Sequence, residues 1–107
     1  MTRLDIAAAN MLSMTRICHQ LVDDAIDAIE IDAVDFAERR IERAYLHLNR
    51  FMDLDPRSTQ VIERVMDYLW FEDGIIDSHD IRDIRQAQKL LVQIDSIAHT
   101  IYLETLK

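Results

Sequence analysis

One glycine (Gly74) and one proline (Pro56) supply nearly all the turn chemistry of this 107-residue chain. A sheet needs a tight turn after almost every strand, so this scarcity disfavours β-structure and favours long helices with few connections. With a single cysteine, Cys18, no internal disulfide can form. A phosphate-cradling loop is excluded as well, because it needs several glycines close together. No run of about eighteen apolar residues occurs, so no segment reads as a membrane span. The first turns carry Arg3, Asp5, Asn10 and Arg16 and hold no apolar signal-peptide core, so a cytoplasmic location is expected. Bases are scarce too: 12 against 20 acids, for a formal charge of -8. Phosphate contact needs a basic footprint, which argues against nucleic acid and against anionic membrane surfaces.

Half of the residues are apolar and 30% are charged, the balance of a soluble globular protein. The length suits a single domain, residues 1–107, with one core and no disulfide or metal staples. Ten of the 12 bases are arginine, whose planar fork pairs well with carboxylates.

The apolar residues recur at alternating steps of three and four. Leu4, Ala7, Met11, Met14, Cys18, Leu21, Ala25 and Ala28 make one seam, widened by Ala8, Leu12, Val22, Ile26 and Ile29. That spacing predicts a first helix over residues 2–29 with a face broad enough for two neighbours. It ends in Glu30-Ile31-Asp32, where Asp32 is a plausible N-cap for a second helix over residues 33–52. The second ladder is Val34, Ala37, Ile41, Ala44, Leu48 and Phe51, and Asp35 stands four residues before Arg39 as a potential ion pair. Asp55 followed by Pro56 caps a third helix, expected to run to Asp73 with Gly74 as its left-handed terminator. A fourth helix starts after Asp77 or Ser78 and carries Ile84, Ala87, Leu91, Ile94, Ala98 and Ile101, flanked by Leu90 and Ile97. The expected fold is therefore all-α, an antiparallel up-down four-helix bundle.

Catalytic chemistry has no visible home. A di-iron bundle needs Glu-x-x-His pairs, and none occurs. His19/Asp23 and Asp95/His99 can each share a helix face, but such pairs arise in any helix, and no metal or other cofactor is expected. His47-Leu-Asn-Arg50 and His79-Asp-Ile-Arg82 each place a base three residues after a histidine, as phosphotransfer modules do. Neither has the small residue that follows in those modules, so both read as surface histidines. Cys18 lies in the apolar seam with no base placed to activate it. The serines lack the strained glycine-rich turn of a hydrolase nucleophile. A non-enzymatic protein is expected.

Two features suit binding. Asp23, Asp24, Asp27, Glu30, Asp32, Asp35 and Glu38 run without an intervening base, several of them where the helix dipole disfavours acids. The run reads as a solvated helix end or as a rim for a basic segment. Second, Met66, Tyr68, Leu69, Trp70 and Phe71 spread too far around a helix to face one core, at about 100° per residue. Tyrosine and tryptophan outside a core are common interface anchors. The candidate partner-binding residues are thus Met66, Tyr68, Trp70 and Phe71, with Asp23, Asp27 and Glu30 at the acidic rim. Met11, Met14 and Met52 join Met66 as adaptable apolar side chains that suit either a groove or gap-filling in the core.

The stretch His19-Gln20-Leu21-Val22-Asp23-Asp24-Ala25-Ile26-Asp27-Ala28 resembles a segment near the N-terminus of bacterial flagellin-export chaperones. There the pattern is Pro-His-Gln-Leu-Ile, two variable residues, a large apolar pair and an acid. Val65-Met66-Asp67-Tyr68-Leu69 is similar to that family's Leu-Tyr-Asp-Tyr-Met, and the apolar spacing from Ile84 to Ile97 is similar to its last helix. The resemblance implies an antiparallel helical bundle without enzymatic activity, which holds a secreted subunit's terminal helix in apolar surface grooves until export. Cys18 stands where the family has proline, the chain between the two segments is shorter by several turns, and Asp55-Pro56-Arg57-Ser58 replaces a glycine-rich turn. The functional expectation is a small export-type chaperone or adaptor for an apolar helical segment of a partner protein. A self-associating dimer using the same surplus apolar face, an acidic immunity or antitoxin protein masking a basic partner, and a histidine phosphotransfer module are the alternatives.

Overall fold

The computed structural model describes residues 3–53, 55–71 and 75–105. The described residues form four α-helices and no strand: α1 (Arg3–Glu30), α2 (Val34–Phe51), α3 (Pro56–Tyr68) and α4 (Ile81–Thr105). A 3-10 turn, Ser78–Asp80, leads into α4. Contacts between helices fix their directions. Arg16 meets Asp95, Asp23 meets Gln88 and Glu30 meets Arg85, so α4 runs antiparallel to α1. Cys18 lies against the Ala44 carbonyl, and the first turn of α3 meets the last of α4 through Arg57 and Glu104. The result is the expected antiparallel bundle, 47 × 20 × 19 Å, about one long helix tall and two helices wide.

The expected ladders form the core. Met11, Met14, Cys18, Leu21, Ala25 and Ala28 of α1 are buried with Ala37, Ile41, Ala44 and Leu48 of α2. Ile84, Ala87, Leu91, Ile94, Ala98 and Ile101 of α4 join the same cluster, with Ile62, Val65 and Met66 of α3. The side chains of Leu4, Ala7 and Ala8 lie outside the described residues. α1 packs along both α2 and α4, and α3 packs on α4, but α2 and α3 barely meet. The reason is length: α3 has 13 residues where α4 has 25, about 20 Å against 38 Å at the helical rise. α3 therefore fills only part of its corner, and Leu69 and Ile76, beyond its end, are buried in the same core.

The turn between α1 and α2 differs from the sequence expectation. Asp32 is not the N-cap of α2; that position is Ala33, which makes no side-chain cap. Asp32 instead has φ 64°, the left-handed conformation that ends helices. Its N–H donates to the Ile29 carbonyl (3.0 Å) and the Ala33 N–H to the Ala28 carbonyl (2.7 Å), the paired bonds of a Schellman motif. Asp32 thus does a glycine's work, at a steric cost a glycine does not carry. Asp32→Gly is expected to stabilise the protein by about 0.5–1 kcal/mol, seen as a rise in the urea midpoint. A fall would mean that the carboxylate has a role this geometry does not provide.

The start of α3 is as the sequence predicts. Asp55 accepts the Arg57 N–H (2.8 Å), with Pro56 in the first helical turn. The Arg57 guanidinium then grips Asp55 (3.1 Å) and Glu104 (3.0 Å), tying this end of α3 to α4. The side-chain hydrogen bond from Arg57 holds the Asp55 carboxyl below its ordinary value, against a smaller opposing effect of burial. A carboxyl depressed on folding lends stability above its unfolded pKa, near 4, and loses it as pH falls through the folded value. Asp55→Ala should therefore cost about 1–2 kcal/mol at pH 7 in urea melts. The gap to the parent chain should narrow as pH drops below about 4; a gap independent of pH would contradict this.

Asp35 and Arg39, spaced as an ion pair, are not one: among the described residues the helix-surface arginines of α2 make no contact with a carboxylate within 4.0 Å. Two exposed side chains gain too little from such a pair to be held together in water.

A groove between α2 and the chain that follows α3

The sequence places the end of the third helix at Asp73, with Gly74 as its cap; α3 in fact ends at Tyr68, and Gly74 lies outside the described residues. Leu69 is the C-cap, φ -96° and ψ 0°, and its N–H is shared between the Val65 (3.0 Å) and Met66 (3.1 Å) carbonyls. Tertiary contact overrides helical continuation here. Leu69 is buried, Ile76 is buried, and the Ile76 N–H donates to a Glu38 carboxylate oxygen on α2 (3.1 Å). A helix continued to Asp73 would turn Trp70 and Phe71 to different sides. Unwinding after Tyr68 brings Leu69, Trp70, Phe71 and Ile76 to one wall.

The opposite wall is α2. Glu38, Arg39, Ile41, Glu42, Tyr45 and Leu46 face that segment across a groove of about 750 Å³. Its floor is apolar (Ile41 and Leu69), and its edges carry Glu38, Arg39 and Glu42. The Trp70 ring lies 5.8 Å from that of Tyr45, tilted by 48°, yet Trp70 remains 69% exposed. Leu46 is 54% exposed, and Ile75, next to the buried Ile76, is 66% exposed. Farther along α2, Phe36 is also exposed, with Arg40 stacked 4.6 Å above its ring. Scattered apolar residues on a surface are ordinary; Leu46 and Trp70 exposed on facing walls of one apolar-floored concavity are the pattern of an interaction site.

The predicted partner-binding residues fall in different places. Trp70 stands in the open and Phe71 lines the groove half-buried, whereas Tyr68 is half-buried against the core. Met66 is 8% exposed and fills the core, as do Met11 and Met14. Asp23, Asp27 and Glu30 lie on another side of the molecule, beside Ile26, Arg85 and Gln88. There three of the seven acids of the run find side-chain partners within the chain. Asp23 meets His19 (3.3 Å) and accepts from Gln88, Asp24 accepts from Gln20 (2.8 Å), and Glu30 pairs with Arg85 (3.2 Å). Asp23, Asp27 and Glu30 thus sit at a surface seam between α1 and α4, and of the run only Glu38 lines the groove.

Other polar groups have local explanations. Cys18 is fully buried, its Sγ 3.6 Å from both Met14 Sδ and the Ala44 carbonyl oxygen. Burial pushes its thiol up to about 12, which keeps it protonated and unreactive near neutrality. His79 is exposed beside Asp77 (3.3 Å), which also caps the turn into α4. Among the described residues no three His, Cys, Asp or Glu side chains converge as a metal site, and no helix is long and apolar enough to cross a membrane. A shallower recess of about 240 Å³ lies between α1 and α4, lined by Thr15, Arg16, His19, Leu91, Val92 and Asp95.

The α2 wall is what reasoning from the ladder passes over. Phe36 and Leu46 lie off the seam that buries Ala37, Ile41, Ala44 and Leu48, on a face otherwise made of Glu and Arg. Large apolar residues on the polar face of an amphipathic helix are the sequence signal for this wall. The chain matches no protein-family model, no curated protein and no solved structure, so the groove has to be understood from its own residues.

Proposed function

We propose that this is a non-enzymatic binding protein, a small cytoplasmic chaperone or adaptor of the bacterial export type, that covers an apolar helical segment of a partner. The observation that carries this reading is the groove between α2 and Leu69, Trp70, Phe71 and Ile76, with Trp70 left 69% exposed at its edge. A helix laid there would meet Leu46, Tyr45 and Trp70 through its aliphatic stripe, the helix-in-groove mode of recognition. Exposing a tryptophan and a leucine to water costs free energy in the isolated chain, about 25 cal/mol per Å² of apolar surface, and an occupant recovers it. The resemblance of His19–Ala28 and Val65–Leu69 to flagellin-export chaperones agrees in kind, since those proteins hold a terminal helix of a secreted subunit.

The test begins with sedimentation of the purified chain, expected to be monomeric at micromolar concentration. A tight dimer that hides Trp70 from a soluble quencher would replace this reading with self-association. A partner recovered by affinity should then be reducible to one helical segment that still binds the parent chain and fails to bind Leu46→Asp.

A further inference from the structure

Beside the groove, α2 presents a second strip of surface with different chemistry. Phe36, Arg39, Arg40, Glu42, Arg43 and Leu46 line a concavity of about 420 Å³, in which one acid faces three guanidinium groups. The chain has only 12 bases and carries -8, yet it places three of them within five consecutive positions here. Elsewhere among the described residues Arg16 meets Asp95, Arg57 holds Asp55 and Glu104, and Arg85 pairs with Glu30, while Arg50, Arg64 and Arg82 stand singly and apart from one another in sequence. Among the described residues no carboxylate lies within 4.0 Å of Arg39, Arg40 or Arg43. Arg40 stacks on Phe36 instead, which leaves its N–H edge open. The strip is continuous with the groove, because Arg39, Glu42 and Leu46 line both.

Resting on the groove reading, we infer that the helix held there is acidic along the edge that meets α2. Its carboxylates, spaced three or four residues apart, reach Arg39 and Arg43, while its aliphatic stripe meets Leu46 and Trp70. The spacing matches, because residues four apart on a helix stand about 6 Å from one another. Two carboxylates stand close by: Glu42 lines both concavities, and Glu38, on the groove, already accepts the Ile76 N–H. On the strip the three guanidiniums outnumber Glu42, and carboxylates on the far side of the bundle lie beyond the screening length of about 8–10 Å. A helix with basic edges meets like charge at this strip and is disfavoured there.

A library of helical peptides tests this with the full chain as bait. Leucine and isoleucine are fixed at the i, i+3, i+4 and i+7 positions, and the flanking positions are random over Asp, Glu, Lys, Arg, Ser and Gln. Selection at low salt is expected to enrich Asp and Glu on one flank. The best peptide should bind at least ~10-fold more tightly than its Glu→Lys counterpart, with the ratio shrinking as salt is added. A chain carrying Arg39→Glu and Arg43→Glu, both exposed positions, should invert the preference. Neutral or basic flanks in peptides that still require Trp70 and Leu46 would overturn the acidic partner and leave the groove reading intact. Peptides indifferent to Trp70→Asp and Leu46→Asp, or no enriched peptide at all, would overturn both. A dimer broken by Arg43→Glu would overturn the inference by making a second copy the occupant of this face.

Discussion

Replacing Ile94 by alanine is expected to destabilise the protein by about 3–4 kcal/mol, the cost of a buried methylene loss plus the cavity it leaves. Ile94 is wholly buried on α4, the helix that packs on both α1 and α3. A cavity there loosens two helix contacts at once, and only part of it can close. Domains of this size are held by about 5–15 kcal/mol, so this one change removes a large share of the total. Val92, two residues earlier and 55% exposed, is the control: Val92→Ala should cost less than about 0.5 kcal/mol. Urea midpoints with an unchanged slope report both. A loss below about 1 kcal/mol for Ile94→Ala would mean that the core around α4 does not close as described.

The second large effect concerns binding. Trp70→Ala should leave stability within about 1 kcal/mol of the parent, since the ring is mostly in water and its main intramolecular contact is Tyr45. Affinity for a helix selected against the parent chain should fall by more than ~30-fold, about 2 kcal/mol, the cost of removing an aromatic anchor. Leu46→Asp, on the facing wall, should have a comparable effect. Asp27→Asn, on the acidic side away from the groove, should change affinity less than about twofold, as rim charges distant from an interface do. If Asp27→Asn weakened binding and Trp70→Ala did not, the acidic seam would be the interface.

The fold was legible in the sequence wherever a ladder of three-four spacing ran long enough. Met11 to Ala28, Ala37 to Leu48 and Ile84 to Ile101 each commit a helix to one buried face, and the structure buries those residues. Asp55-Pro56 and Asp77 mark helix starts because a short acidic side chain can satisfy free N–H groups locally. Where a boundary depends on distant chain, the sequence is silent. Asp32 reads as an N-cap by residue type, but α1 ends in a Schellman motif closed by Asp32 and Ala33, which takes Asp32 for the left-handed position instead. The end of α3 is decided by Leu69 and Ile76 seeking the core and by Glu38 capturing an N–H from 38 residues away.

The candidate site was half legible for the same reason. Trp70 and Phe71 stand out as aromatic residues that a four-helix core does not need. Their place on one wall follows from the unwinding after Tyr68, which no local pattern announces. Met66 illustrates the converse: it belongs to the same aromatic stretch, but one turn earlier the helix still holds, so it points inward. The acidic run from Asp23 to Glu38 reads in sequence as a solvated helix end or a rim, whereas folding pairs Asp23 with Gln88 and Glu30 with Arg85 of α4.

The most direct measurement is a map of amide chemical shifts on the ¹⁵N-labelled chain as a selected apolar helix is added. The account requires the perturbed amides to gather on residues 36–46 of α2 and on Leu69, Trp70, Phe71 and Ile76, with the Ile17 and Val92 side of the bundle unmoved. Shifts gathered around Asp23 to Glu30 or beside Val92, with Trp70 and Leu46 unperturbed, would contradict it.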